Sequence, residues 1–302
     1  MVTNSGVSTA SRRGEQPRAV AKHARHLVRG AALTPAYDAA ITAALTLPGN
    51  ILSDEPDIPW ARVVLTCCTA TGGRWEEAVP TAATVELFMV ALDLLDDAED
   101  GEENALQADL GQARALNVST GLLFLAHQDL LDTAGISAAR ILLAAGLQAG
   151  GGQDADLTST ADRPADLGRA IDISAGKSAS LVAAICRLGA LCAGANENVQ
   201  DLYARFGWYV GLVKQLVNDI AGIGPRAAGK TDRALGRLTL PLAYAALHPS
   251  PSGPSSNPWE GGAVCLTWAV AGAYRQRALA LIPTMAADAA GRDALTALLN
   301  LL

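Results

Sequence analysis

The sequence has few of the residues on which several large classes of protein depend. Aromatic residues make up 4% and charged residues 18% of its 302 residues, and the formal net charge is −7. A mildly acidic chain with few aromatic rings offers little to nucleic acid, so we expect no nucleic-acid partner. The five cysteines include no CxxC pair, which argues against a zinc site. We expect reduced, mostly buried thiols in a cytoplasmic protein.

Long apolar runs are also missing. No stretch reaches the roughly 20 uninterrupted apolar residues of a membrane span, so we expect no transmembrane segment. The first residues, MVTNSGVSTASRRGEQPR, lack the apolar core of a signal peptide. We expect a disordered tail over residues 1–25, one helical domain over 26–302, and within it an exposed loop over 249–262, which is rich in Pro, Ser and Gly.

Alanine and leucine are abundant in the sequence, and its apolar residues recur at the spacing of an α-helix. Half of the chain is apolar, which is enough to bury one large core. A helix is predicted after Pro80, with Val85, Phe88, Leu92 and Leu95 three or four residues apart. Gly150-Gly151-Gly152 is predicted to separate two helices. Since no alternation of strands and helices is visible, the fold class is all-α, a single large helical bundle.

A cluster of carboxylates follows the helix after Pro80, in the segment LDLLDDAEDGEENA. Asp96 and Asp100 fall one turn apart on a helix, and Asp97 precedes Asp100 by three residues. Carboxylates this close repel one another unless a cation compensates them, and Mg²⁺ prefers such oxygen ligands. A charge run is usually a solvated helix end, so both interpretations stay open at this point.

A second cluster follows another apolar helix, in GLVKQLVNDIAG. Gln215 and Asp219 share a helical face, with Asn218 beside them, and the loop beyond contains Lys230 and Arg237. Carboxylate and amide oxygens followed by cations are what a site for a metal and a diphosphate needs. This cluster therefore strengthens the metal-site interpretation of the first.

Five segments together carry a family resemblance. They are Asp96, Asp97 and Asp100 in the pattern DDxxD; Gly152–Leu157 as GQDADL; Lys177-Ser178; Gly211, Gln215, Asn218 and Asp219 as GxxxQxxND; and Gly236–Pro241 as GRLTLP. In this order they resemble the trans-isoprenyl diphosphate synthase (polyprenyl synthetase) family, with its motifs DDxxD, GQxxDL, Lys-Thr, GxxFQxxDD and GKxTxP. The likeness covers most of residues 59–247 and implies an isoprenoid synthase fold around a central cavity.

The resemblance also implies a site that binds an allylic prenyl diphosphate with Mg²⁺, as three ions, in a protein that forms a homodimer. Its catalytic carboxylates would be Asp96, Asp97, Asp100 and Asp219, which would ligate the metal together with Asn218. The diphosphate would be bound by Lys177, Lys230 and Arg237, and oriented by Gln153 and Gln215. The cavity would be lined by Phe88, Ala91, Leu92, Trp208 and Tyr209, although core packing is the favoured explanation for each aromatic residue taken singly.

Two departures from the family pattern concern the second substrate, isopentenyl diphosphate. The family has a basic GGKxxRP segment where this chain has Leu52–Arg62, LSDEPDIPWAR, which is acidic. The family places two arginines after its first motif, where this chain has Ala105 and Leu106. Each lost contact to a bound charge costs about 2–5 kcal/mol, so we expect poor affinity for isopentenyl diphosphate.

Three functions remain open on the sequence. The first is a class I terpene cyclase, a divergent member of the family that ionises a prenyl diphosphate and cyclises the carbocation. The alternative is a prenyltransferase with another acceptor, either an unusual one or isopentenyl diphosphate. The third is a non-catalytic subunit of a heteromeric synthase. It is disfavoured because such subunits often lose the first aspartate motif, whereas this chain keeps it.

Overall fold

The described residues form helices and no strands, which confirms the all-α prediction. The structure is a computed structural model, in which residues 9–159, 165–223, 237–248 and 262–301 are described. Its twelve α-helices are α1 Thr9–Gly30, α2 Pro35–Leu45, α3 Pro59–Ala70, α4 Val79–Glu99, α5 Ala105–Leu110, α6 Gln112–Leu157, α7 Leu167–Ser174, α8 Ser180–Cys192, α9 Glu197–Gly222, α10 Leu240–Leu247, α11 Ala263–Met285 and α12 Ala289–Leu301. A 3₁₀ turn, Trp75–Ala78, precedes α4, and a π-helical turn, Ala175–Ala179, joins α7 to α8.

The chain divides into two compact units. Unit 1 contains Met1–Arg140 and Leu191–Gly194, and unit 2 contains Ile141–Ala190 and Ala195–Leu302. In unit 1, α1 and α3 pack on α4, which is buried from Thr81 to Ala91. In unit 2, α9 packs on α11 and on the π-helical turn. The core of unit 2 includes Leu212, Leu216 and Leu240.

A glutamate lies inside the buried part of α4. The Glu86 carboxylate accepts a 2.7 Å hydrogen bond from the backbone N–H of Ala61, in the first turn of α3. Glu86 is 4% exposed, and this burial raises its pKa to about 8, although the backbone hydrogen bond opposes the rise. Glu86 is therefore largely uncharged at neutral pH.

The prediction of a disordered tail is wrong for residues 9–25, because α1 covers them. Val20, Ala21, Ala24 and Val28 are buried, and they recur at the spacing of one helical face. The many polar residues around this narrow apolar face obscured it in the sequence. The predicted loop at residues 249–262 lies, except for Gly262, outside the described residues.

The prediction of a break at Gly150-Gly151-Gly152 is also wrong, because α6 continues to Leu157. The interruption of α6 lies at Gly135, whose φ of 83° and ψ of 178° are not helical and which falls between the helices predicted to end near Thr133 and to begin near Ser137. Gly152 is buried against the backbone of Gly176 in unit 2, and this packing outweighs the low helix propensity of glycine.

Three helical stretches are long and apolar enough to cross a membrane by length and composition. They are Trp75–Glu99, Gln112–Leu157 and Leu167–Cys192, and their most apolar windows are 72%, 28% and 56% buried within the protein. The absence of a transmembrane segment therefore remains a prediction. All five cysteines are free, and Cys67, Cys68 and Cys186 are buried, as expected for small apolar residues.

Candidate active site

The first aspartate cluster lies at the exposed end of α4. Asp96 is exposed, Asp97 and Asp100 are half-buried, and Asp100 caps the helix. The side chain of Asn104 donates a 2.8 Å hydrogen bond to Oδ2 of Asp97 and also begins α5 with a capping box. The end of the helix and the start of the next therefore fix the position of Asp97.

These aspartates do not form a closed metal cage. Within the described part of the chain, no group of three or more His, Cys, Asp or Glu side chains is arranged to hold a metal ion. Mg²⁺ does not need such a cage, because it usually binds one or two carboxylates, several waters and the phosphates of a substrate. Asp96, Asp97 and Asp100 supply only oxygen donors at an accessible helix end, so they fit Mg²⁺.

Two cations converge on one buried carboxylate in unit 2. Nζ of Lys177, in the π-helical turn, lies 2.8 Å from Oδ2 of Asp156 near the end of α6. Nη1 of Arg237 lies 3.7 Å from the same oxygen, and the next residue, Leu238, donates its backbone N–H to the Ser159 hydroxyl at 3.2 Å. Asp156 is 5% exposed. These contacts bring together the predicted diphosphate-binding residues Lys177 and Arg237.

Asp156 was not among the predicted site residues. It is the aspartate of the GQDADL segment, so the motif already contained it. The motif does not show which side chains the aspartate binds, since the contact with Lys177 depends on how α6 packs against the π-helical turn. Lys230, the third predicted cation, lies outside the described residues.

Two glycines set the distance between α6 and the π-helical turn. A Cβ atom on Gly152 would collide with the backbone nitrogen of Lys177 and would lie 2.6 Å from the carbonyl carbon of Gly176. A Cβ atom on Gly176 would lie 2.9 Å from Cα of Gly152. Only glycine permits this approach, which brings the backbone of Lys177 close to the turn of α6 that precedes Asp156.

Gln153 presents a buried amide without a partner. Neither its Oε1 nor its Nε2 has a hydrogen-bond partner within the described residues, and both atoms are buried. An unpaired buried amide costs about 1–3 kcal/mol, so this position suits a group that a ligand completes. Gln153 lies one helical turn before Asp156, the carboxylate that Lys177 and Arg237 approach.

The second motif forms a hydrogen-bonded network inside unit 2. The buried Asp219 accepts one hydrogen bond from Nε2 of Gln215 at 2.8 Å and one from the Ser174 hydroxyl at 3.2 Å. Oε1 of Gln215 accepts a 2.6 Å hydrogen bond from the Ser178 hydroxyl, and Asn218 is exposed. The amide of Gln215 therefore fixes the position of Asp219. The contact of Gln215 with diphosphate that the sequence suggests stays a prediction.

The predicted cavity residues of unit 1 lie along α4. Phe88 is 2% exposed and meets the ring of His127 edge-on, with centroids 5.6 Å apart. Ala91 is buried, and Leu92, one turn before Asp96, is half-buried. The contacts of Phe88 agree with core packing, and the lining role of all three stays a prediction.

Trp208 and Tyr209 lie in an aromatic cluster of unit 2. The rings of Trp208 and Tyr209 meet edge-on at 5.6 Å, and Tyr274 of α11 lies 5.8 Å from Trp208 and 6.1 Å from Tyr209. Trp208 also packs against the apolar core that contains Leu212. These contacts again agree with packing, and the predicted lining role is not tested by them.

The sequence of this chain is similar to those of several known proteins. The family model described as Polyprenyl synthetase matches residues 61–254, more than half of the chain. The (2E,6E)-farnesyl diphosphate synthase of Mycobacterium tuberculosis is 31% identical over 210 residues, which cover 65% of this chain and 58% of that protein. The geranylgeranyl diphosphate synthase of the same organism is 30% identical over 206 residues, covering 61% and 57%. This chain thus matches less than two thirds of the length of these relatives.

Solved structures match nearly the whole chain. The geranylgeranyl pyrophosphate synthetase of Geoglobus acetivorans superposes with a TM-score of 0.81 at 17% identity, covering 95% of this chain and 96% of that one. The polyprenyl synthetase of Streptomyces coelicolor A3(2) gives 0.77 at 24% identity, covering 95% and 97%. At such identities the likeness establishes the fold alone, and it confirms the isoprenoid synthase architecture.

Proposed function

Because the chain belongs to the polyprenyl synthetase family, we propose that it is a Mg²⁺-dependent prenyltransferase. It releases diphosphate from an allylic prenyl diphosphate and joins the prenyl group to an acceptor. The observation that carries the proposal is the convergence of Lys177 and Arg237 on Asp156, one helical turn after the buried amide of Gln153, which has no hydrogen-bond partner within the described residues. Relatives named farnesyl and geranylgeranyl diphosphate synthase support the same substrate class.

The proposed metal ligands are Asp96, Asp97 and Asp100, with Asp219 and Asn218 from the second motif, for three ions in all. When bound, Mg²⁺ neutralises the charge of the leaving diphosphate. The accessible carboxylates of α4 suit metal ions that arrive and leave with the substrate. The buried Asp219 is held on both of its oxygens by Gln215 and Ser174, which support its orientation.

The cations of unit 2 would act on the leaving group. As the bond between C1 of the prenyl chain and the diphosphate oxygen breaks, both electrons go to the diphosphate. Lys177 and Arg237 stabilise this growing charge, since positioned cations lower the barrier when charge develops beside them. Lysine has three donors and arginine five, so each side chain can bind Asp156 and a phosphate oxygen together. Asp156 thereby keeps both cations in place before the substrate arrives.

A second candidate, cyclisation by a class I terpene cyclase, is favoured by the region where an isopentenyl diphosphate would need cations. Arg62, the only basic residue of Leu52–Arg62, lies 3.4 Å from Asp57, and Leu106 is 1% exposed. Neither position offers an uncompensated positive charge. A double bond of the same prenyl chain would then attack C1 in place of a separate acceptor.

One assay separates these candidates. The purified protein and Mg²⁺ are incubated with geranyl, farnesyl and geranylgeranyl diphosphates, each with and without isopentenyl diphosphate, and products are identified by mass spectrometry. Longer diphosphates that form only with isopentenyl diphosphate support prenyl transfer to that acceptor. Hydrocarbons or alcohols formed without it support cyclisation. If no allylic diphosphate is consumed, both candidates fail and the non-catalytic subunit becomes the better account.

We also propose that the protein forms a homodimer in the cytoplasm. Large apolar side chains of α6 remain exposed in the single chain, among them Phe124 at 70% and Leu147 at 79%. Exposed apolar residues of this size are typical of surfaces that another protein covers. Light scattering coupled to size exclusion measures the mass directly, and a monomer at micromolar concentration would contradict the proposal.

A further inference from the structure

The N-terminus of α10, in unit 2, is buried but is not capped by a side chain. Thr239, at the N-cap position, is 8% exposed, and the first helical residue, Leu240, is 1% exposed. The backbone N–H of Ala243 donates the first helical hydrogen bond, 2.8 Å long, to the carbonyl oxygen of Thr239. The N–H groups of Leu240 and Leu242 come before it and have no acceptor within the helix, and Pro241 has no N–H. A buried helix end of this kind needs a partner from outside the helix.

The hydroxyl of Thr239 does not fill this role. A threonine at the N-cap commonly accepts a hydrogen bond from an N–H of the first turn, as Thr34 accepts from Tyr37 at the start of α2, at 3.4 Å. Thr239 makes no such bond, although its backbone is extended as at other N-caps. Its Oγ1 is buried and has no hydrogen-bond partner among the residues that the structure describes. Burial of an unpaired hydroxyl is unfavourable, so this position suits a group that a ligand completes.

The segment that leads into α10 contains one member of the cation pair. Arg237 lies two residues before Thr239, and its guanidinium shares a carboxylate with the ammonium group of Lys177. Leu238, between Arg237 and Thr239, donates its backbone N–H to the hydroxyl of Ser159, just beyond the end of α6, at 3.2 Å. The uncapped start of α10 is therefore fixed to the same part of unit 2 that positions the two cations.

These groups together favour an anion. The N-terminus of a helix carries the positive end of its dipole and directs its unpaired N–H groups at the ligand. The threonine hydroxyl can donate a further hydrogen bond, and ionised phosphate oxygens accept such bonds strongly. We propose that the N-terminus of α10 and the hydroxyl of Thr239 bind a phosphate of the allylic diphosphate, together with Arg237 and Lys177. This assignment rests on the function proposed above, and it adds a neutral hydroxyl and a helix end to the cations of that site.

Inorganic diphosphate tests the assignment, because it has the two phosphates and no prenyl chain. It is titrated with Mg²⁺ into the whole 302-residue chain by calorimetry, and thermal unfolding is measured on the same preparations without ligand. Thr239→Val keeps the shape of the side chain but removes the hydroxyl. It should weaken diphosphate binding about tenfold, the equivalent of one charge-assisted hydrogen bond. Thr239→Ser, which retains the hydroxyl, should restore most of the affinity.

Unfolding without ligand separates binding from capping. Since Thr239 makes no capping bond, Thr239→Val should leave Tm unchanged or raise it. Thr34→Val, the matched control, removes a capping bond in unit 1, so it should lower Tm by about 2 °C and bind diphosphate normally.

The outcomes distinguish a failure of this assignment from a failure of the proposed function. If Thr239→Val binds diphosphate as tightly as the unaltered protein, or lowers Tm as Thr34→Val does, the hydroxyl does not bind substrate and only this assignment fails. If diphosphate does not bind to the unaltered protein, the proposed function fails together with it.

Discussion

The two aspartate motifs follow the same kind of helix but end in different surroundings. Asp96 at the end of α4 is exposed, and its neighbour Asp97 is bonded to Asn104, only seven residues away. Asp219 near the end of α9 is 3% exposed and accepts hydrogen bonds from Gln215 and from Ser174, which lies 45 residues away in the chain. The first motif is thus presented at the surface, and the second is built into a core.

Because of this difference, substitutions in the two motifs should have different effects on stability and activity. A surface carboxylate contributes little to stability, because water solvates it in the folded and the unfolded chain alike. A buried carboxylate with two donors leaves those donors unpaired when it changes. We therefore expect a change of the exposed Asp96 to affect only the reaction, and changes around the second motif and the cation pair to affect folding as well.

The largest effect is expected for Asp96→Ala. Loss of a proposed metal ligand should lower kcat/KM at least about a hundredfold, with an unchanged melting temperature. Turnover of an allylic diphosphate and thermal unfolding are measured on the same preparation. Glu99→Gln, which removes an exposed carboxylate from the same helix, is the control and should retain activity. Near-normal turnover of Asp96→Ala would contradict the assignment of the site.

The next largest effect is expected for Gly152→Ala. The added Cβ meets backbone atoms of Gly176 and Lys177 that cannot rotate away, so stability should fall by about 2–3 kcal/mol. KM for the allylic diphosphate should rise, because Lys177 moves relative to Asp156. Urea unfolding and steady-state kinetics measure the two effects.

Gly150→Ala is the matched control for this change. It lies in the same helix, is exposed, and has open space where a Cβ would be placed. Alanine should stabilise α6 there by about 0.5–1 kcal/mol. Equal stability of the two variants would show that the close approach of α6 and the π-helical turn is not required.

A smaller loss of stability is expected for Asp219→Asn. The amide group must place an NH₂ against either Gln215 or Ser174, so one donor loses its acceptor at a cost of about 1–3 kcal/mol. Asn218→Asp, at the exposed neighbour, should leave the free energy of unfolding unchanged within about 0.5 kcal/mol. If Asp219→Asn is as stable as the unaltered protein, the contrast between the two motifs does not hold.

The last effect, which is confined to a pH window and to stability, is expected for Glu86→Gln. Burial raises the pKa of Glu86 to about 8 from its ordinary 4.5, so between these values the folded state binds more protons than the unfolded state. Stability of the unaltered protein should therefore fall as pH rises from about 5 to 8. The side chain of glutamine still accepts the hydrogen bond from the backbone N–H of Ala61. It does not ionise, so its burial carries no cost that grows with pH.

The free energy of unfolding of Glu86→Gln, relative to that of the unaltered protein, should therefore rise by at least about 1.4 kcal/mol between pH 5 and pH 9, the equivalent of one pKa unit. Urea unfolding at several pH values measures this, and activity at pH 7 should be retained. Glu99→Gln again serves as the exposed control. Parallel pH profiles for Glu86→Gln and the unaltered protein would show that Glu86 is ionised in the folded state.

The helices that carry the two motifs were predictable from local sequence. Pro80 and the apolar positions from Val85 to Leu95 predicted α4, and the structure places it at Val79–Glu99. The errors arose where distant packing decides. Gly152 is helical because Gly176 packs against it, and α1 is helical because Val20 and Ala24 are buried in unit 1.

The chemistry of the site was predictable as residue types, and its contacts were not. The motifs identified Lys177 and Arg237 as cations, but their common partner Asp156 follows from the packing of three separate segments. The pairing of Asp219 with Ser174 similarly joins α9 to the end of α7 across 45 residues of chain, and no local sequence signal indicates it.

The π-helical turn has a consequence for how related chains are aligned. Such a turn is equivalent to one residue inserted into an α-helix. Here Ser174, which contacts Asp219, directly precedes the turn, and the turn itself contains Lys177 and Ser178, which contacts Gln215. A relative that lacked the inserted residue would keep the motifs on either side of it. The side chains beyond the turn would, however, be rotated by about 100° around the helix axis. A gap of one residue at positions 175–179 would therefore mark a relative in which the lysine no longer lies opposite the aspartate of GQxxDL.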